Sequence, residues 1–196
     1  MRDQLKTGCV EWFRDVLDVV PTGWIAGGSV RDYFARVQSA SDIDVFFPSE
    51  HAFNVSLATI SRSGAKQIYD HGHVVGFILN RRHVQLIKKH FFPTPEETIS
   101  NFDFTVCCVA VTPGGDVVHH EHFFEDLAGR RLAINALPFP LSTLERIQRY
   151  VSKGYLACNG TLMQLSEAIK QIDLNDPSAS NLRYYPDGTP RFVRFD

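Results

Sequence analysis

The feature that most constrains the fold is a pair of glycines between an apolar, strand-like segment and the start of a predicted helix. Trp24–Ala26 is a short apolar segment typical of a buried strand, and Gly27 and Gly28 follow it directly. Ser29 and Asp32 then have the spacing of a helix N-terminal capping box. The sequence therefore predicts a strand, a glycine turn and a capped helix. This arrangement presents backbone N–H groups and the positive end of a helix dipole to a phosphate.

A pair of aspartates follows the predicted helix. Asp42 and Asp44 are two residues apart in a predicted strand, so their carboxylates project from one face while Ile43 and Val45 enter the core. Two like charges this close repel each other unless a cation lies between them, and hard oxygen ligands suit Mg²⁺ or Mn²⁺. An isolated Asp-x-Asp is also common at a solvated strand end. Next to a predicted phosphate-binding turn, it indicates a metal site at which a hydroxyl attacks the α-phosphorus of a nucleoside triphosphate.

Arg31, on the same predicted helix, has two interpretations. It could make a charge-assisted contact to the triphosphate. It could equally form an ion pair on the helix surface with Asp32 or Asp15.

The histidines offer a weaker signal. His119, His120 and His122, together with His71 and His73, could ligate zinc, but no cysteine lies at a suitable spacing from them. We expect them to be surface histidines.

The remaining pattern predicts an α/β (α+β) fold with a mixed sheet flanked by helices. Apolar spacing predicts an N-terminal helix over residues 4–20, further helices over 51–62, 95–99, 144–151 and 162–172, a meander of three strands between residues 67 and 89, and a buried strand over 104–111. We expect a head at residues 1–140, a short helical appendage at 141–173 and an irregular tail at 174–196.

Composition limits the class of protein. The chain has 196 residues, 44% of them hydrophobic, which suffices for one core. With 20 basic and 22 acidic residues it lacks the overall charge of a strong nucleic-acid binder, so a polymer must be held by a local patch or a partner. The four cysteines have no paired spacing and no apolar run is long enough to span a bilayer. We expect a cytoplasmic protein with reduced thiols and no membrane partner.

Several blocks of the sequence resemble one known superfamily. GWIAGGSVRDYF followed by SDIDVFF is similar to the signature of polymerase-beta-like nucleotidyltransferases, specifically the head domain of CCA-adding tRNA nucleotidyltransferases and bacterial poly(A) polymerases. The segments that begin at Asp103 and Glu125 resemble two later motifs of these enzymes, and residues 144–150 resemble their arginine-rich helix.

The resemblance implies roles position by position. Asp42 and Asp44 would be the catalytic metal ligands for Mg²⁺ or Mn²⁺, and Asp103 would lie near the nucleotide sugar. Gly27, Gly28 and Ser29 would contact the triphosphate, with Arg31 as the further candidate named above. A nucleoside triphosphate such as ATP would be the substrate, and an RNA 3′ end is the first expectation for the acceptor.

Some positions depart from the pattern. Asn101 and Phe102 replace two arginines, and Gln85 stands where related enzymes often have a third acidic residue. A neutral amide binds a hard cation less well than a carboxylate does. Two alternatives therefore stay open: nucleotidylation of a protein or small molecule, and a catalytically degenerate nucleotide-binding module.

Overall fold

The structure, a computed structural model, describes residues 2–37 and 41–172. The tail expected at 174–196, and the last residue of the expected appendage, lie outside the described residues. The division into head, appendage and tail stays a prediction.

The chain alternates short helices and strands. The helices are α1 (Arg2–Trp12), α2 (Arg14–Leu17), α3 (Gly28–Phe34), α4 (Glu50–Arg62), α5 (Pro95–Ser100), α6 (Phe123–Ala128), α7 (Pro140–Ser152) and α8 (Asn159–Lys170). The strands are β1 (Trp24–Ala26), β2 (Ile43–Phe46), β3 (Lys66–His71), β4 (Val74–Leu79), β5 (Arg82–Ile87), β6 (Val109–Val111) and β7 (Val117–His119). No helix of the described ranges is long and apolar enough to cross a bilayer.

The strands form one seven-stranded sheet in the order β3-β4-β5-β2-β1-β6-β7. Strands β2 and β5 pair in parallel, and the other pairings of the described sheet are antiparallel. The predicted α/β fold with a mixed sheet is therefore confirmed. The predicted meander is also present as β3-β4-β5, and Asn80 and Arg81 close its second turn with positive φ angles of 50° and 65°.

Three clusters of buried side chains hold these elements together. The largest packs α1, α2 and α4 against the central strands around Phe13, Ile25 and Val45. A second cluster joins Phe104 to Ile147 of α7 and Leu165 of α8. Helix α7 is therefore held in a fixed position against the segment that precedes β6, and this packing decides which of its faces is directed toward the sheet.

The glycine turn begins the helix in a different way from the predicted capping box. Gly27 occupies the N-cap with φ 87° and ψ −133°, and α3 begins at Gly28. This positive φ, which glycine adopts without a steric penalty, turns the chain into the helix without a side-chain cap. Ser29 is already inside the helix, and its buried Oγ has no hydrogen-bond partner within the described part of the chain. The prediction of Ser29 as the cap was wrong.

Two predicted elements are shorter than expected. The N-terminal helix is interrupted at Phe13, whose N–H is shared between the carbonyls of Cys9 and Val10 and whose ring is anchored in the core. The predicted strand over 104–111 contains a 3₁₀ turn at Thr105–Cys107, so only its end, β6, joins the sheet. The second error arises because an apolar run predicts burial but does not distinguish a strand from a buried turn.

Candidate active site

The glycine turn lies directly beside the segment that carries the aspartates. The Gly27 N–H donates to the Val109 carbonyl at 2.9 Å, which fixes the turn to β6. A Cβ atom added to Gly28 would lie 3.2 Å from the Ser41 Cβ. Two backbone segments that are far apart in the sequence thus approach closely, and glycine is the residue that permits this.

Asp42 and Asp44 line one cavity of about 300 Å³ together with Gly28, Arg31 and Gln85. The packing of β2 explains why, since Ile43 and Val45 are buried in the core and the alternating residues are directed to the other face. The parallel pairing of β2 with β5 sets Asp44 opposite Gln85. The two carboxylates therefore share one small space with the glycine turn.

The Asp44 carboxylate is half-buried, and no described residue donates a hydrogen bond to it. Burial and, second, the neighbouring Asp42 carboxylate raise the pKa of Asp44 to about 7. Bringing a cation to this carboxylate would offset both effects. The donor set, two adjacent hard oxygen ligands of which one lacks a partner, fits a divalent metal such as Mg²⁺ or Mn²⁺.

Asp42 is held by two side chains of the adjacent strand β5. Its Oδ1 lies 2.8 Å from His83 Nδ1, and its Oδ2 accepts a hydrogen bond from Gln85 Nε2 at 3.0 Å. Gln85 Nε2 also donates to the Tyr69 hydroxyl at 2.9 Å, and that hydroxyl lies 3.0 Å from His83 Nε2. These contacts join Asp42, His83, Tyr69 and Gln85 into one closed ring. The ring orients Asp42 and places an amide where a third carboxylate would lie.

Arg31 forms a buried ion pair. Its side chain and that of Asp32 are 2% and 5% exposed, and its Nη2 lies 2.5 Å from Asp32 Oδ1. Its Nη1 donates to the Tyr150 hydroxyl at 2.6 Å, which connects α3 to α7. The sequence analysis offered an ion pair with Asp32 on the helix surface. The pair with Asp32 is present, but it is buried. Asp15 instead pairs with Arg82 at 2.7 Å.

Helix α7 supplies three cations that sequence reasoning did not select as site residues. Arg146, Arg149 and Lys153 all line the cavity of the aspartates. Their spacing of three and four residues is the signal that could have found them, because it places side chains on one face of a helix. Arg146 pairs with Asp103. Arg149 and Lys153 are exposed and have no carboxylate partner in the described ranges, so their charges are available to an anion.

Asp103 lies nearby but its oxygens are engaged. It is 5% exposed, its Oδ1 accepts the Phe104 N–H at 3.0 Å, and its Oδ2 accepts from Arg146 and from Thr143 Oγ1 at 3.4 Å. It shares the lining of a second cavity with Asp44. Its carboxylate is thus directed at α7 within this arrangement.

Acidic and histidine side chains do not gather elsewhere into an evident metal centre. In the part of the chain that the structure describes, no group of three or more His, Cys, Asp or Glu side chains is arranged to hold a metal. The ring of His119 interacts with the His120 carbonyl and packs edge-on against Phe124, with 4.8 Å between ring centroids. All four cysteines are free thiols.

Comparison with known families gives one match that covers most of the chain. The family described as "Gad2: Gabija anti-defense 2 family protein" matches residues 4–130. A curated relative, "Gabija anti-defense 2" of Bacillus phage SPbetaL7, is 29% identical over 156 residues, which are 77% of this chain and 38% of the relative. The chain therefore spans well under half the length of that relative.

Solved structures with the same fold include several CCA-adding enzymes. An apo form of a CCA-adding enzyme has a TM-score of 0.64 at 15% identity, with 83% of this chain and 42% of that chain covered. The Thermotoga maritima CCA-adding enzyme complexed with tRNA has a TM-score of 0.62 at 16% identity, with coverage of 83% and 42%. The Bacillus stearothermophilus CCA-adding enzyme in complex with CTP has a TM-score of 0.58 at 15% identity, with coverage of 76% and 41%. At such identities the likeness shows a nucleotidyltransferase head fold and no more than the fold.

Proposed function

The chain belongs to the Gabija anti-defense 2 family, and we propose that it is a metal-dependent nucleotidyltransferase. It moves a nucleoside monophosphate from a nucleoside triphosphate to a hydroxyl acceptor. The observation that carries this proposal is one cavity that combines the carboxylates of Asp42 and Asp44, the glycine turn at Gly28 and the cations of α7.

The metal ligands in this proposal are Asp42 and Asp44. Asp44 lacks a donor among the described residues and has a raised pKa, so a divalent cation would stabilise its ionised form. When bound, Mg²⁺ or Mn²⁺ supplies charge stabilisation for the attacking and leaving oxygens of an in-line displacement.

The chain's own residues bind and orient the triphosphate. Arg149 and Lys153 are exposed cations without a carboxylate partner among the described residues, so they neutralise phosphate charge. Arg31 lies beneath them, and its charge is largely balanced by Asp32. The turn at Gly27, Gly28 and Ser29 allows phosphate oxygens to approach the backbone closely, because no Cβ obstructs Gly28 on the cavity side.

Asp103 has a positioning role in the proposal. It holds Arg146, which lines both the cavity of the aspartates and the adjoining one. The paired Arg146 keeps a cation beside Asp44 without leaving a net charge there. Asp103 thus acts through Arg146 on the nucleotide, rather than as a third metal ligand.

The acceptor has two candidate classes. An RNA 3′ hydroxyl is the first, supported by the shared fold with enzymes whose solved complexes include tRNA and CTP. The second is a hydroxyl on a protein or small molecule, and the family description of an anti-defense protein supports a component of the Gabija defense as that target. In both cases the same bond to the α-phosphorus forms and pyrophosphate leaves.

A catalytically degenerate nucleotide-binding module is the second candidate function. Both oxygens of Asp42 are engaged by Gln85 and His83, and neither supplies the third carboxylate that would strengthen metal binding. Such a module would bind a triphosphate and a partner without releasing pyrophosphate. Metal-dependent triphosphate consumption separates the two functions.

The test is a transfer assay with the purified protein. Each α-labelled nucleoside triphosphate is incubated with Mg²⁺ or Mn²⁺ and either total RNA or a lysate of cells that carry the Gabija defense. We expect label in one acceptor fraction, lost in Asp42→Ala and Asp44→Ala because each removes a metal ligand. Asp116→Ala, which removes an exposed carboxylate outside the cavity, is the matched control and should retain transfer.

Two results contradict the proposal. Transfer that persists in both aspartate variants would refute the assigned metal ligands. Triphosphate binding without transfer to any fraction, and without pyrophosphate release, would favour the degenerate module.

A further inference from the structure

A second cavity, of about 540 Å³, adjoins the cavity of the aspartates. The two cavities share Gly28, Asp44, Arg146 and Tyr150 in their linings. Their other walls differ in chemistry, because the first is charged and the second is aromatic. The second cavity, called here the aromatic cavity, is lined by the rings of Phe46, His90, Phe92, Phe102 and Phe139.

The rings of the aromatic cavity are held from beneath. Phe46 and Phe102 contact each other, with 5.6 Å between ring centroids. These two rings and Phe92 pack against a buried cluster that includes Trp24 and Ile99. All three are only half-buried, so part of each remains available to a ligand. Rings fixed in this way lose little conformational freedom when a planar group stacks on them.

Phe102 lines the aromatic cavity together with Gly28 and Asp44, which also line the cavity of the aspartates. A Cβ atom added to Gly27 would be 3.5 Å from the Phe102 ring, so the ring packs against the glycine turn. A planar group stacked on Phe102 is therefore adjacent to Gly28 and Asp44, where the phosphates and the metal would bind. Phe102 is also one of the positions at which the sequence replaces an arginine.

Polar side chains of the aromatic cavity are largely committed to protein partners. Asp103 accepts hydrogen bonds from Arg146 and Thr143. Asn101 Nδ2 donates to the Glu97 carbonyl at 2.8 Å. In the described lining, few side chains besides His90 remain to read the hydrogen-bonding edge of a base, whereas several ring faces remain for stacking. Stacking accepts every base, since every base has a π-face.

We propose that the aromatic cavity binds a nucleobase of the transfer reaction by stacking on Phe102, with little discrimination between bases. This inference rests on the proposed function, because it assigns the cavity next to the transfer site to one of its substrates. The base belongs either to the incoming triphosphate or to the terminal nucleotide of an RNA acceptor, and the stacking chemistry is the same in both cases.

The test measures binding rather than turnover. Phe102→Leu keeps an apolar side chain and removes the aromatic face, whereas Phe102→Tyr keeps the face. Phe91→Leu is the matched control, because Phe91 is a half-buried ring next to Phe92 in the sequence that packs toward Phe53 instead. Affinities are measured with Mg²⁺ for α,β-methylene ATP, inorganic tripolyphosphate and a short single-stranded RNA, and without metal for adenosine.

We expect Phe102→Leu to lower the affinity for either the adenosine ligands or the RNA by about fivefold or more. The affinity for tripolyphosphate should be unchanged. A loss of affinity that is confined to α,β-methylene ATP and adenosine assigns the cavity to the incoming nucleotide. Loss confined to RNA assigns it to the acceptor. Phe102→Tyr should restore the affinity that Phe102→Leu loses.

The inference is overturned if Phe102→Leu binds all of these ligands within about twofold of Phe91→Leu. Failure of the proposed function gives a different pattern. Tripolyphosphate would then not bind and no transfer would depend on Asp42 and Asp44, whatever the Phe102 variants do to adenosine binding.

Discussion

Replacing Arg31 with methionine should cost a large fraction of the stability of this protein. The change keeps most of the apolar stem and removes the guanidinium that faces Asp32 at 2.5 Å. Among the described residues, Asp32 would then remain buried with Ser41 alone as a partner, since its Oδ2 accepts the Ser41 N–H at 3.0 Å and the Ser41 hydroxyl at 2.6 Å. The Tyr150 hydroxyl would lose its Arg31 donor as well.

The size of the effect follows from the burial of the pair. Both side chains are at most 5% exposed, so solvent does not replace the lost partner. Breaking a buried ion pair by removing one member costs about 3–5 kcal/mol. A native domain is stable by about 5–15 kcal/mol, so the variant loses about a fifth or more of the total free energy of unfolding. With a urea m-value of about 2 kcal/mol/M, the midpoint falls by about 1.5–2.5 M.

The assay is equilibrium unfolding in urea with a double-mutant cycle. Arg31→Met, Asp32→Asn and the double variant are compared with the parent, and Arg62→Met serves as the control because Arg62 is exposed at the end of α4. The double variant leaves no unpaired charge. Its cost should therefore fall below the sum of the two single costs by about 1.5 kcal/mol or more.

Two outcomes would refute this reasoning. A loss below about 1 kcal/mol in Arg31→Met would mean that the pair behaves like an exposed ion pair. Strict additivity in the cycle would mean that the two residues stabilise the fold independently.

Two further predictions concern the cavity of the aspartates. Gln85→Glu should tighten Mn²⁺ binding by about tenfold in calorimetry, because it replaces the amide that contacts Asp42 with a hard carboxylate. An unchanged Mn²⁺ affinity would mean that residue 85 does not contact the metal. The double variant Arg149→Gln and Lys153→Gln should weaken tripolyphosphate binding and flatten its salt dependence, since two free cations are lost. A salt dependence equal to that of the parent would show that the anion binds elsewhere.

Several features of the site could be predicted from local sequence alone. The two-residue spacing of Asp42 and Asp44 sets both on the strand face opposite Ile43 and Val45, because side chains alternate in any strand. The pair Gly27 and Gly28 predicts a tight turn between β1 and α3 without reference to the rest of the fold. The prediction of a cap at Ser29 was wrong for an equally local reason, since Gly27 with its positive φ allows the helix to begin two residues earlier without a side-chain cap.

Other features depended on contacts between distant segments. The parallel pairing of β2 with β5 brings Gln85 to Asp44, and the cluster around Phe104 directs the cations of α7 toward the same cavity. The rings of the aromatic cavity likewise come from segments separated by up to 93 residues, Phe46 and Phe139. Local sequence determined the turn and the face on which each carboxylate lies, because both follow from backbone geometry. Tertiary structure alone decided which groups meet those carboxylates, because strand order and core packing bring together residues whose separation in the chain carries no local signal.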